Sequence, residues 1–200
     1  MCGIVGYSGK RDALPLIVDC LRRLEYRGYD SAGVAVRGSG ISLWKDKGTI
    51  AHLETVVPKS APGTVGIGHT RWATVGKPTK ENAHPFADCT GKLAVAHNGI
   101  IENYRALRAE LEKKGHKFSS QTDSEVVAHL LEDEKPGDPV AAMVRVRDRL
   151  EGAYAIAVVY HDSGTVIGTR HESPLVAAIG DGEAFIASDA PAVLPYTDRA

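Results

Sequence analysis

The stretch AYAIAVVY, residues 153–160, is the part of the sequence that indicates most about the fold. It is apolar enough to predict a strand that is covered on both faces. The segments TVIGTR (165–170) and LVAAIGDGEAFIASD (175–189) follow it and predict two or three more strands. The last quarter of the chain therefore predicts a group of neighbouring strands.

The first half of the chain predicts strands in similar groups, with helices between them. Residues 3–8 form a short buried run, and Asp12 is placed to cap a helix whose apolar face carries Leu14, Ile17, Leu21 and Leu24. Residues 49–57 fit a short helix. Further strands are predicted on both sides of a Gly-Ser-Gly turn within 31–48, in TVGIGHTRW (64–72) and in KLAVAHNGII (92–101).

Three helices follow one another before the strands of the last quarter. The first is expected from about Glu102 to Lys114, with Gly115 as its stop signal and a Glu110–Lys114 pair outside. Thr122 and Glu125 form a capping-box pattern, and a further helix runs from Asp138-Pro139 toward Leu150. Strands and helices in separate blocks predict an α+β fold, with layers of antiparallel sheet covered by helices.

Composition limits the classes of function. The 200 residues are 43% apolar and 24% charged with a net charge of -1, which predicts one globular domain and gives no sign of nucleic-acid or membrane binding. No secretory signal is visible, so we expect a cytoplasmic protein that acts on a small molecule. Three cysteines without paired spacing argue against a disulfide framework and a zinc site.

Cys2 is the first candidate for chemistry. If Met1 is removed, the Cys2 thiol shares its Cα with a free α-amino group. That amine titrates at about 7.7 to 8.0 and can take the thiol proton near neutral pH. The alternative is a small buried apolar residue on the first strand. Gly3, which permits a close approach to the backbone, favours the catalytic interpretation.

The other candidates are individually ambiguous. Asn98-Gly99 could supply the amide donors of an oxyanion site, but Asn-Gly is also a common tight turn. Arg71 could clamp a carboxylate or could be an exposed cation packed on Trp72. Asp123 could bind a substrate amine or complement a helix dipole. The irregular segment 76–91 is long enough to suggest a binding loop.

Metal and cofactor sites are not predicted. His69, His84 and His97 lack an i, i+4 partner on a helix and a cysteine at ligand spacing. We therefore expect no metal site and no cofactor.

Several motifs, taken together and in order, resemble the glutamine-hydrolysing domain of the glucosamine-6-phosphate synthases. These are N-terminal-nucleophile, class II glutamine amidotransferases. The resemblance covers nearly the whole chain. The motifs are CGIVGY (2–7), LRRLEYRGYDSAG (21–33), HTRWAT (69–74), NAHP (82–85), HNGIIEN (97–103), TDSEV (122–126), SPLV (173–176) and FIASD (185–189).

The resemblance implies a fold and a set of roles. It implies a four-layer αββα sandwich, in which Cys2 attacks the glutamine side-chain amide and forms a thioester. It also implies that Asn98 and Gly99 stabilise the oxyanion. The substrate carboxylate and amine would meet Arg71 and Asp123, and a loop with Trp72 and Thr74 would close over glutamine near His84.

The chain departs from the family pattern at two positions and in length. Val75 and Phe86 stand where the family usually has histidine, so loop closure or glutamine affinity is expected to differ. Residues 1–200 would be a C-terminally shortened glutaminase domain without the sugar-isomerase domains that bind fructose 6-phosphate, and the full-length protein would be a homodimer. The alternatives are a glutaminase serving another acceptor and a non-catalytic glutamine-binding or regulatory paralogue.

Overall fold

A computed structural model describes residues 2–134 and 137–199, which form ten strands and five α-helices. Met1, and with it the question of its removal, lies outside the described residues. In chain order the elements are β1 (Gly3–Ser8), α1 (Ala13–Arg22), β2 (Ser31–Arg37), β3 (Ile41–Lys47), α2 (Ile50–Val56), β4 (Val65–Arg71), β5 (Phe86–Ala87), β6 (Leu93–Gly99), α3 (Tyr104–Lys113), α4 (Glu125–Glu132), α5 (Pro139–Arg147), β7 (Tyr154–Tyr160), β8 (Val166–His171), β9 (Val176–Gly180) and β10 (Glu183–Ala187).

The strands form two antiparallel sheets. The larger has the order β3-β2-β4-β1-β10-β9, and the smaller has the order β5-β6-β7-β8. Helices α1 and α2 pack on the larger sheet, and α3 to α5 pack together beside the smaller one. Together with the blocks of strands and helices, this confirms the predicted α+β fold and its αββα layers.

Strand β7 explains why the stretch 153–160 is apolar throughout. Its alternate residues Ala155, Ala157 and Val159 belong to the core between the two sheets, whereas Ile156 and Val158 belong to the core under the helices. Successive side chains of a strand point to opposite faces, so a strand with two covered faces needs apolar residues at every position. The small alanines let the two sheets approach each other closely.

Some details of the helix ends differ from the sequence prediction. Asp12 precedes α1, but its side chain makes no capping hydrogen bond there. The capping box at Thr122 is wrong, because α4 begins after Ser124 and the Glu125 carboxylate accepts hydrogen bonds from Ser119 and Ser120 instead. The predicted loop 76–91 is irregular apart from the two-residue strand β5.

The predicted inward face of α1 is confirmed, since Leu14, Ile17, Leu21 and Leu24 are all fully buried. The Glu110–Lys114 pair is also confirmed, at 2.9 Å. Among the described residues, no helix combines the length and the apolar character that crossing a membrane requires.

Candidate active site

Cys2 lies directly before β1, beside the end of β4. The two strands are antiparallel with Gly3 opposite Thr70, so the start of one meets the end of the other. The Trp72 N–H donates to Cys2 Sγ at 3.2 Å, and the thiol donates to the Trp72 carbonyl at 3.4 Å. Because Cys2 is only half-buried and contacts backbone polar groups, the interpretation as an apolar core residue is wrong.

The surroundings of Cys2 do not generate a thiolate by themselves. Burial raises the pKa of the Cys2 thiol, with a smaller contribution from the Asp123 carboxylate, while the Trp72 N–H and Arg71 oppose this rise. A thiol with a raised pKa needs a base to become a nucleophile. Cys20 is a useful contrast, because burial in α1 raises its pKa to about 12.

Two side chains hold the backbone of Cys2 in place. Its carbonyl oxygen accepts from Arg27 Nε at 3.0 Å and from Asn98 Nδ2 at 3.1 Å. Arg27 in turn contacts Asp189 at 3.1 Å. Arg27 and Asp189 were not predicted from the sequence as supports of Cys2. Both lie within motifs shared with the family, LRRLEYRGYDSAG and FIASD, and these motifs are the sequence signal that could have indicated them.

Asn98 and Gly99 end strand β6 and do not form a two-residue hairpin turn, so the turn alternative is wrong. The Nε2 atom of His69 lies 3.0 Å from Asn98 Oδ1, which fixes the orientation of the amide group. Gly99 has φ +108, and a Cβ there would lie 2.0 Å from the carbonyl oxygen of Ala153. Only glycine fits at this position.

Arg71 is buried, so the interpretation as an exposed cation on an aromatic ring is wrong. Its guanidinium donates to the carbonyls of Val75, Gly76 and Lys77 at 2.5, 3.1 and 3.2 Å. Trp72 instead packs edge-on against Tyr29, with ring centroids 5.4 Å apart. Arg71 therefore holds the loop 72–77 in its present position.

Asp123 is buried between β6 and α4. Its Oδ2 atom accepts from the Ile101 N–H at 2.8 Å, which ties the segment before α4 to the chain that leaves β6. Asp123 precedes the first residue of α4 by two positions, and its carboxylate is engaged by Ile101, outside the first turn. The helix-dipole interpretation therefore does not account for its contacts.

The structure brings almost all of the predicted site residues to one cleft, whereas Asn98 lies just beside it and holds Cys2. The cleft has free space of about 10 Å³, which is room for one water molecule. The predicted residues that line it are Cys2, Arg71, Trp72, Thr74, His84, Gly99 and Asp123.

Three buried histidines, His69, His84 and His97, pack together at the cleft and are called the inner histidines below. His84 and His97 line the cleft, and His69 packs against His84. The rings of His69 and His84 are 4.1 Å apart, and the His97 N–H donates to His84 Nδ1. Burial lowers the pKa of all three, for His69 to about 3. They are therefore neutral at physiological pH.

The two departures from the family pattern occupy different positions relative to the cleft. Val75 lines the cleft, and its carbonyl binds Arg71. Phe86 is buried in β5 against the His84 ring, with centroids 4.6 Å apart, and Lys45 Nζ lies over the Phe86 ring, 4.4 Å from its centroid. Phe86 thus supports His84 from the core and is not a surface residue of the loop.

Comparison with known proteins identifies the family. A model of the glutamine amidotransferase domain matches residues 69–195, more than half of the chain. The chain belongs to this family. This amidotransferase domain is 56% identical over 200 residues to the glutamine–fructose-6-phosphate aminotransferase [isomerizing] of Symbiobacterium thermophilum, covering 98% of this chain and 33% of the relative. The protein of that name from Aquifex aeolicus is 52% identical, with 100% and 34% covered.

Solved structures support the fold of the amidotransferase domain. Glutamine phosphoribosylpyrophosphate amidotransferase from B. subtilis matches with a TM-score of 0.80 at 27% identity, covering 96% of this chain and 43% of that one. A structure described as the allosteric regulatory enzyme of purine biosynthesis matches with a TM-score of 0.83, also at 27% identity and with the same coverage. The chain spans about a third of the length of the curated relatives it matches.

Proposed function

We propose that this amidotransferase domain hydrolyses the side-chain amide of L-glutamine to glutamate and ammonia, with Cys2 as the nucleophile. One observation carries the proposal: a single cleft contains the Cys2 thiol, a buried cation, Arg71, and a buried anion, Asp123. A free amino acid carries one carboxylate and one ammonium group, and these two side chains complement both. A nucleophile beside such a pair suits an amino-acid amide.

The proposed chemistry has two halves. After removal of Met1, the α-amine of Cys2 takes the thiol proton, and the sulfur attacks the amide carbon. The amine then gives that proton to the leaving nitrogen, so ammonia departs and a thioester remains. Water attacks the thioester, releases glutamate and restores the thiol. The raised thiol pKa is the reason that this base is needed.

The developing oxyanion would be stabilised by Asn98 and Gly99. Asn98 Nδ2 has two hydrogens, of which one is donated to the Cys2 carbonyl and the other can reach the oxyanion. The His69 contact to Oδ1 keeps Nδ2 on the side of Cys2. The second donor would be the backbone N–H of Gly99, which lines the cleft.

Glutamine entry would require the loop 72–77 to move, because the free space in the cleft fits only a water molecule. Arg71 would exchange part of its contacts with the loop carbonyls for the substrate carboxylate. Trp72 and Thr74 would then return over the bound glutamine, with His84 at the back. Closure would exclude bulk water from the thioester.

The names of the relatives support a wider role. We propose that ammonia from this domain serves amino transfer to fructose 6-phosphate, giving glucosamine 6-phosphate, in a longer cytoplasmic protein. Sugar-isomerase domains would supply the acceptor site, and a homodimer would be held mainly by those domains. Identity of 56% to the fructose-6-phosphate enzyme against 27% to the phosphoribosylpyrophosphate enzyme favours this acceptor.

The test compares the wild-type chain with Cys2→Ala, using glutamate release as the measure and intact mass to follow Met1. Wild-type protein without Met1 should release glutamate and ammonia in equal amounts, and should form no amino sugar when fructose 6-phosphate is added. Cys2→Ala should lose about 10³-fold or more of this activity. The matched control is Cys20→Ala, which removes an unreactive buried thiol and should keep the activity.

Activity retained in Cys2→Ala would overturn the proposed nucleophile. Retention of Met1 together with tight glutamine binding and no glutamate release would favour the non-catalytic paralogue, because a Cys2 nitrogen held in a peptide bond cannot act as a base.

A further inference from the structure

Four side chains that bind metals well meet beside the C-terminal half of α4. They are Cys89, His116, His129 and Glu132, called the Cys89 cluster here. Each offers one ligand atom, and these atoms all lie within 4.8 Å of one another. They come from three separate segments of the chain, so no local spacing motif marks them. The members of the cluster do not line the cleft that contains Cys2.

Four of the six distances between ligand atoms lie close to the edges of a tetrahedron around zinc, and the other two are at most 4.8 Å. Cys89 Sγ lies 3.8 Å from His116 Nδ1 and 3.6 Å from His129 Nδ1. Glu132 Oε2 lies 3.0 Å from each of the same two ring nitrogens. Zinc bond lengths of about 2.0 to 2.3 Å imply edges of about 3.6 Å between sulfur and nitrogen and about 3.3 Å between nitrogen and oxygen.

The outer nitrogens of both imidazoles face carboxylates. His116 Nε2 lies 2.8 Å from Asp133 Oδ1, and His129 Nε2 lies 3.9 Å from Glu125 Oε1. A metal-bound histidine usually donates its other ring N–H to such a group, which orients the ring and strengthens the ligand. His116 has this contact, whereas Glu125 lies beyond hydrogen-bond distance of His129 and acts there only as a nearby negative charge. The Lys117 N–H also points at Cys89 Sγ, at 3.4 Å, and favours the thiolate.

The Cys89 cluster has two largely buried ligands on a helix and one exposed ligand that solvent can reach. The side chain of His129 is 1% exposed and that of Glu132 14%, and they lie three residues apart on α4, so they share one helix face. Cys89 is exposed and forms the side from which an ion could enter. Two ligands on a fixed helix and two on flanking loops form a site whose closure ties three segments together.

We propose that the Cys89 cluster is a structural zinc site with one thiolate, two imidazole nitrogens and one carboxylate oxygen as ligands. Zinc accepts this mixture of sulfur, nitrogen and oxygen, whereas magnesium and calcium prefer oxygen alone. Four protein ligands leave no open position, which is typical of a structural and not a catalytic site. On binding, the Cys89 thiol would release its proton to solvent, and no electron transfer is involved. The proposal is independent of glutamine hydrolysis.

The experiment uses metal-free protein that carries Cys2→Ala, so that the half-buried Cys2 thiol cannot compete for metal. Cobalt is added first as a spectroscopic probe, and zinc then displaces it. We expect one cobalt per chain, with visible bands of tetrahedral intensity and a thiolate-to-cobalt charge-transfer band. Zinc at about a hundredfold excess over its dissociation constant should raise Tm by about 5 to 10 °C.

Variants assign these signals to the cluster. Cys89→Ser should remove the charge-transfer band, and Glu132→Gln should weaken zinc binding about 100-fold. Asp133→Asn keeps all four ligands and should weaken zinc binding about 10-fold. His52→Gln is the matched control, because His52 is an exposed histidine paired with Asp46 outside the cluster, and it should bind zinc like the parent.

A cluster that is only a set of hydrogen bonds would give a different outcome. Folded parent protein that binds no zinc, or Cys89→Ser and Asp133→Asn proteins that bind it as tightly as the parent, would overturn the proposal. Circular dichroism of each variant separates loss of binding from loss of folding. Asp133→Asn keeps the test decisive if a ligand variant fails to fold.

Discussion

Two groups of histidines in this molecule lie in opposite environments. The inner histidines, His69, His84 and His97, are buried at the cleft against one another, Phe86 and backbone groups. The outer pair, His116 and His129, faces carboxylates on both ring nitrogens. The difference is a counter-charge in contact with the ring: carboxylates lie against the ring nitrogens of the outer pair, whereas those of the inner histidines contact backbone groups, a hydroxyl and an amide.

The counter-charge decides what each group can do. Burial is the largest cause that lowers the pKa of the inner histidines, and the nearby Arg71 guanidinium adds to it at His69 and His84, so the rings are neutral. At His129 burial also acts against the charge, but the Glu132 carboxylate, 3.0 Å from Nδ1, and the Glu125 carboxylate, 3.9 Å from Nε2, outweigh it and raise the pKa. The neutral His69 ring can orient the Asn98 amide, and the neutral His84 and His97 rings form part of the cleft wall. Rings among carboxylates can hold a positive charge, either a proton or a metal ion.

The largest expected effect is a loss of stability in acid that comes from the inner histidines. The folded pKa of His69 is depressed to about 3, so below pH 6.5 the unfolded chain takes up a proton that the folded chain refuses. The stability is complete above pH 6.5 and declines as the pH falls toward 3. For His69 alone the free energy of unfolding should decrease by about 3 kcal/mol between pH 7 and 4. Urea unfolding across this range measures the decrease.

The matched control for the acid effect is His69→Gln in metal-free protein. Its stability should depend less steeply on pH, because one group that must stay neutral is gone. His129 acts with the opposite sign, since its raised pKa stabilises the fold below pH 6.5 and this effect is lost as the pH rises. The same pH dependence in the parent and in His69→Gln between pH 6.5 and 5 would show that His69 is not held neutral, because the contribution of His129 is common to both proteins.

The next largest effect is the loss of stability on replacing one histidine of each group with leucine. His69→Leu should destabilise the protein by about 2 to 3 kcal/mol, because the His97 carbonyl and Asn98 Oδ1 lose a buried donor at 2.9 and 3.0 Å. His116→Leu, in metal-free protein, should cost about 1 kcal/mol, because its carboxylate partners remain partly accessible to water. Glutaminase assays should show a fall in kcat for His69→Leu and little change for His116→Leu. Equal losses in both would contradict the comparison.

The fold class and part of the candidate site could be predicted from the sequence. The runs of strands and helices were sufficient for the α+β class, and the motifs led to Cys2, Arg71 and Asp123. Contacts between segments that are distant in the chain could not be predicted from the sequence. Arg27 holds Cys2 across 25 residues of chain, and Cys89 meets His129 across 40. No periodicity or spacing encodes such pairs, because they depend on how sheets and helices pack.

The smallest expected effect concerns a histidine introduced at position 75, where it would be neither deeply buried nor in contact with a carboxylate. Val75 lines the cleft in the loop that Arg71 binds and is half-buried, so Val75→His would place an imidazole beside solvent. Its pKa should stay near the ordinary value of about 6.5. The protonated ring would add positive charge where the substrate carboxylate is proposed to bind, so KM for glutamine should fall a few-fold from pH 8 to 6, relative to the parent, with kcat nearly unchanged.

Val75→Gln, polar but uncharged, is the control and should lack this pH dependence. Kinetics of Val75→His identical to those of the parent at every pH would show that residue 75 does not face bound glutamine.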